Sequence, residues 1–182
     1  MQGKTKIMAL LAIILGGLVS LMTSSQPASA SHLSEGVWAH AVNACAIDEA
    51  NLSDYAVGLG LNHKAGIVGR LTARCNVENL PISPPGDAIG LLLTYRDQDG
   101  PGSASRVIAR LMQLSNSGTL SLLATVDSNT GPASASLQSK FQTFSHDFDF
   151  NNNAYYVEVT VIRRDNTQVP IAAIVRITGT LL

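Results

Sequence analysis

From about residue 37 onward the chain alternates apolar and polar residues in short runs broken by Gly, Pro, Asn and Asp, the period of a β-strand with one buried face. Ile89, Leu91, Leu93 and Tyr95 share one face of such a run, as do Val107, Ala109 and Leu111, and then Leu120, Leu122, Ala124 and Val126. The back third is the most regular. Phe144, His146, Phe148 and Phe150 alternate, followed by Tyr155, Val157, Val159 and Val161, then by Ile171, Ala173, Val175 and Ile177. Earlier runs over Val37 to Ile47, Tyr55 to Leu61 and Ile67 to Val77 are less even. Eight or nine strands at this spacing predict an all-β fold, an antiparallel β-sandwich of jelly-roll-like type.

The breaks predict connections. Glu78 to Asp87 holds Pro81, Pro84, Pro85 and Gly86, and it reads as a loop crossing between strands. Ser115-Asn116-Ser117-Gly118 reads as a tight turn that sets Leu111 opposite Leu122 and Ala109 opposite Ala124. The Ser/Ala/Gly-rich tract Ser128 to Ser139 reads as an exposed loop. Asn151-Asn152-Asn153 and Asp165 to Val169 read as hairpin turns. They would set Phe148 opposite Val157 and Val159 opposite Val175, with Glu158 facing Asp147 on one side and Arg176 on the other.

The first thirty residues follow a different pattern. Lys4 and Lys6 precede an apolar run from Ile7 to Met22, and Ala28-Ser29-Ala30 closes it with small residues. This reads as an export signal expected to be cleaved after Ala30, leaving one domain over residues 31–182, with an uncleaved amino-terminal anchor as the alternative. The run is shorter than the roughly 20 residues of a membrane-spanning helix, and no later segment is long enough to span. The expected location is periplasmic or secreted. The signal's style is bacterial, which would leave the Asn51-Leu52-Ser53 sequon idle. In an oxidising compartment Cys45 and Cys75, the two cysteines, are expected to form a disulfide.

Composition narrows the function without naming it. The net charge is −1 and charged residues make up 14%, against about 25% in a typical domain. There is no basic excess to attract a phosphate backbone, so nucleic acid is not an expected partner. No Gly-x-Ser-x-Gly elbow, His-Glu-x-x-His pair or phosphate-cradling Gly loop is present. Neither a cofactor nor a metal ion is expected.

The candidate functional residues lie on the predicted solvent face of the last strands. Asp147, Asp149 and Glu158 form an acidic patch, which Arg176 would neutralise in part. It could be an ordinary charged surface, an oxygen-ligand calcium site or an acid/base pair. Tyr156 points away from the core and could stack on a sugar ring; Trp38 would be a second such ring if exposed. Asp97-Gln98-Asp99-Gly100 resembles the start of a calcium loop, but no Glu follows at the needed spacing; it reads as a polar loop neutralised by Arg96 and Arg106. His63 is expected in an exposed turn and His146 in the core. The expected function is a secreted, non-enzymatic sandwich that binds an extracellular glycan or protein. The alternatives are a structural or assembly component of the envelope or matrix, and a hydrolase working through the surface carboxylates.

Overall fold

Alternation at period two resolves into two antiparallel sheets packed face to face. The computed structural model describes residues 38–78 and 89–179. The segment expected to be an export signal and most of the Pro-rich 78–87 loop lie outside them. Eleven strands are described, against the eight or nine expected: β1 (Trp38–Ala41), β2 (Ala46–Ile47), β3 (Tyr55–Val57), β4 (Leu61–His63), β5 (Gly69–Val77), β6 (Ile89–Asp97), β7 (Ser105–Ser115), β8 (Leu120–Asp127), β9 (Ser134–Phe144), β10 (Asn153–Arg163) and β11 (Ile171–Gly179). The surplus comes from the amino-terminal runs. Val37 to Ile47 is divided by a short helical turn at Val42–Ala44, and Tyr55 to Leu61 by a glycine turn. The second break has a steric reason. A Cβ on Gly60 would lie 2.1 Å from the Ala172 carbonyl oxygen, so the chain touches β11 backbone to backbone there.

One sheet runs β3-β4-β11-β6-β9, with β1 also paired to β11; the other runs β2-β5-β10-β7-β8. Every connection except β3–β4 and β7–β8 passes from one sheet to the other. This overturns the hairpins expected in the back third. β10 pairs with β5 and β7, so Val159 lies between Ala73 and Ala109. β11 pairs with β1 and β6 in the opposite sheet, where Val175 meets His40 and Leu93. The inside/outside parity was nonetheless right. Val157, Val159, Val161, Val175 and Ile177 are all fully buried, because parity is fixed by burial of a face and not by which strand lies alongside.

Two further expectations fail for local reasons. On β7–β8, Leu111 pairs with Ala124 and Ala109 with Val126, and a bulge at Leu123 shifts the register. Beyond the bulge the phase flips, so Leu120 and Leu122 stand exposed while Ala124 and Val126 are buried. The Ser128–Ser139 tract is not all loop. After a helical turn at Ser128–Thr130 it enters the eleven-residue strand β9. Pairing to β6 supplies the backbone bonds that its side chains do not advertise.

Cys45 and Cys75 form the disulfide, across a sequence separation of 30, and tie the segment before β2 to β5. Cys45→Ser should lower stability by about 3–4 kcal/mol, the loop-closure entropy of such a span, and should free the Cys75 thiol. Calorimetry with thiol titration checks both. A thiol that reacts in the unaltered protein would contradict the bridge.

Candidate functional site

β10 is the middle strand of the five-stranded sheet, and this placement builds the candidate surface. Its odd residues face the core, and Tyr156, Glu158, Thr160 and Ile162 take the opposite parity, in rows with residues of β5 and β7. Thr160 and its neighbour Ile108 are themselves buried, so the adjoining rows open to solvent are those at Tyr156 and Glu158. Asn76, Tyr156, Met112 and Leu122 make one row. Arg74, Glu158, Arg110 and Thr125 make the next. Successive outward rows are about 7 Å apart, so the rows at Tyr156 and Glu158 lie side by side.

The row at Glu158 is a charged ladder. Arg74 Nη2 lies 3.2 Å from Glu158 Oε2, and Arg110 Nη1 lies 3.7 Å from Glu158 Oε1. Asp48 reaches Arg74 from the sheet edge at 3.6 Å. All four side chains keep solvent contact, so the ladder contributes little to stability; its consequence is a row of oriented donors and acceptors. From Tyr156 through Met112 to Leu122 the row is apolar, and apolar surface continues toward the corner through Leu114 and Leu120, which are 40% and 53% exposed. At the far end of the face, Ser103, Arg106, Asn129, Ile162 and Arg164 line a shallow depression.

Tyr156 and Glu158 thus share one face, but Asp147 and Asp149 do not sit in a strand beside them. Residues 145–149 have no regular structure, which corrects the strand expected over Phe144 to Phe150. Glu158 therefore faces Arg74 and Arg110 instead of Asp147. Arg176 is on the other sheet, between Ala39 and Leu92. Asp149 is a turn residue. Its carboxylate accepts from Asn152 Nδ2 at 2.7 Å and from the backbone N–H groups of Asn151 and Asn152, the side-chain bond above all holding it below the usual carboxylate range. Asp147 is exposed. No group of three acidic, His or Cys side chains suited to a metal gathers among the described residues.

The aromatic residues of this segment close one end of the sandwich. Phe148 and Phe150 stack, and both meet the Tyr155 ring. The Tyr155 hydroxyl accepts from Asp149 N–H at 3.1 Å and lies 3.1 Å from His146 Nε2. Burial lowers the pKa of His146 despite the nearby Asp147 carboxylate. Trp38 is 4% exposed, so it offers no ring to a ligand, and His63 is buried where an exposed turn was expected.

Sequence reasoning missed the carboxyl cluster at the β6–β7 loop. Arg96 and Arg106 do not neutralise it: Arg96 donates to the Val169 carbonyl, and Arg106 pairs with Asp127. Asp97 has no solvent exposure. The Ser105 hydroxyl lies 2.6 Å from both Asp97 Oδ1 and Asp99 Oδ1. A hydroxyl carries one hydrogen, so one of these short contacts takes its hydrogen from a carboxylic acid. Burial raises the pKa of Asp97 even though hydrogen bonds from Ser105 and Ser128 oppose the shift. Burial also acts upward on Asp99. The Ser105 hydroxyl and the N–H groups of Ala104 and Ser105 outweigh it, and Asp99 stays an anion with a lowered pKa. The available signal was the Asp-x-Asp spacing at the end of an inward-facing run, where Asp97 continues the parity of Leu93 and Tyr95. Enclosed in this way, Asp97 fixes the loop and meets no solute.

The cluster predicts a pH dependence. Asp97 binds its proton more tightly folded than unfolded, so its contribution is complete in acid. It is lost as pH rises from the ordinary carboxylate value through the raised one. Asp97→Asn retains a donor of similar shape. It should keep the acid-side melting temperature and remove that part of the decline. Melting curves that fall in parallel with the unaltered protein across this window would contradict the assignment.

No family model matches the chain, and no curated protein matches it. Among solved structures it is similar to one described as the xylan-binding module CBM15, at 14% identity and a TM-score of 0.44, over 79% of this chain and 96% of that one. It is also similar to a structure of infectious bursal disease virus Gx strain, at 11% identity and a TM-score of 0.35, over 79% of this chain and 32% of that one.

Proposed function

We propose that this is an exported, non-enzymatic binding protein and that the outer face of its five-stranded sheet receives an extended extracellular glycan. The observation that carries the reading is the adjacency of two unlike rows. Tyr156 offers a ring and Met112 and Leu122 an apolar flank; one row away, Arg74, Glu158 and Arg110 present oriented donors and acceptors. A pyranose has the matching anatomy, with C–H faces that lie on an aromatic surface and a rim of hydroxyls that take charge-assisted hydrogen bonds. Export is supported by the signal-like leader and by the disulfide, a bond that persists in oxidising compartments.

A glycan array probed with the purified protein, followed by calorimetric titration of the best oligosaccharide, tests the reading. Tyr156→Ala should weaken that binding at least tenfold while the melting temperature changes little. An array without a hit, or an affinity unmoved by Tyr156→Ala, would overturn it.

A further inference from the structure

We propose that β9 pairs antiparallel with β9 of a second copy of the chain, about a two-fold axis through Phe141, joining the two β9-bearing sheets edge to edge. The inference does not rest on the glycan face, which lies on the other sheet and meets this region at Leu122.

The sheet edges are not equally protected. β2 and β3 are edges of two and three residues, and shortness alone discourages pairing. β8 is longer, but the bulge at Leu123 interrupts it. β9 is eleven residues long and, among the described residues, bonded on one side, to β6. Its first part carries a guard as well: the five residues from Ser134 to Gln138 span only the three from Asp97 to Tyr95, so a bulge occupies residues 135–137. From Gln138 to Phe144 the register against Tyr95 to Ile89 is unbroken. That stretch contains no proline, and its one charge, Lys140, is folded back onto the Thr130 hydroxyl. Here a row of backbone N–H and C=O groups meets the conditions for adding a strand.

The stretch is self-complementary. Phe141 is its central residue, so a two-fold axis there brings all seven positions into register. Phe141 lies opposite its own copy, Lys140 opposite Gln142, Ser139 opposite Thr143 and Gln138 opposite Phe144. No like charges are juxtaposed, which shifting the axis to Lys140 would cause. Phe141 is 45% exposed although its ring covers Gly90, where an added Cβ would come within 1.9 Å of the ring. The uncovered part of each ring would be buried against the other in the pair. Alongside, β8 and β9 border an open groove lined by Leu122, Ala124, Gln142 and Phe144, and a strand added along β9 runs past its mouth. Antiparallel pairing about a two-fold axis closes after two copies and leaves no further β9 edge.

Sedimentation of the purified protein over the micromolar to millimolar range should show a monomer–dimer equilibrium. Gln142→Glu sets a carboxylate opposite Lys140 twice per dimer and should tighten it. Gln142→Lys sets like charges there and should weaken it by about fivefold to tenfold. Both variants leave the Phe141 cover over Gly90 intact. Mixed Ser139→Cys and Thr143→Cys copies should form a heterodimeric disulfide on mild oxidation, while Thr143→Cys alone should not, because its two copies sit about 14 Å apart along the strands. A monomer throughout, a dimer indifferent to charge at 142, or equal cross-linking in the two cysteine samples would each overturn the proposal.

Discussion

Val159→Asp is expected to yield only unfolded or aggregated protein. Val159 is fully buried in the middle strand of the five-stranded sheet, flanked by Ala73 and Ala109 and facing the core between the sheets. Losing its burial costs about 2 kcal/mol. A carboxyl group placed there without a hydrogen-bond partner costs about 3 kcal/mol more, and ionising it costs further still. Together these approach the whole net stability of an ordinary domain, about 5–15 kcal/mol. Val159→Ala, which removes volume and adds no polar group, should remain soluble with a lowered melting temperature. Circular dichroism and a thermal melt of the two variants separate polarity from packing. A cooperative melt from Val159→Asp would mean that this position does not face the core.

Arg163→Met should lower the melting temperature by about 10 °C, from the loss of about 3 kcal/mol. Arg163 ends β10 on its inward parity and is 4% exposed. Its guanidinium donates to four backbone carbonyls: Asp165 and Asn166 in the turn after β10, and Lys64 and Ile67 in the turn before β5. Met fills the same volume and bonds none of them, so two turns lose their common tie. His63 supplies a second readout. Its pKa is lowered by burial first and by the Arg163 charge second, against opposing contributions from Gly69 and Asp54. Removing the cation should move the His63 titration back toward the ordinary histidine value in an NMR titration. An unchanged melt together with an unchanged His63 titration would contradict the clamp.

The sequence showed which residues go inside more clearly than which strands lie side by side. Val157, Val159, Val161 and Val175 were assigned the right face from spacing alone, since a two-residue period and a buried face determine parity. Their partners were assigned wrongly. The hairpin reading assumes that neighbours in sequence pair, whereas the chain passes from β10 in one sheet to β11 in the other across a turn that looks like any hairpin turn. β9 was hidden because Ser, Ala and Gln do not announce a strand, and strand propensity is mostly a statement about packing context. The outward placement of Tyr156 followed from parity and survived. The Arg74–Glu158–Arg110 ladder depends on non-local pairing and could not be read in advance. Arg163 and Asp97 carried a faint signal, a charged residue continuing an apolar parity at a strand end, which marks a buried polar group with partners to be found.

The placement of β10 between β5 and β7 sets Tyr156, Glu158, Arg74 and Arg110 on one solvent face, and the functional reading depends on it. Cross-strand backbone NOEs in isotopically labelled protein report it directly. They should connect Val159 with Ala73 and with Ala109, and Glu158 with Arg74 and with Arg110. Backbone NOEs joining Val159 to Val175 would instead restore the hairpin, dismantle the face and contradict the account.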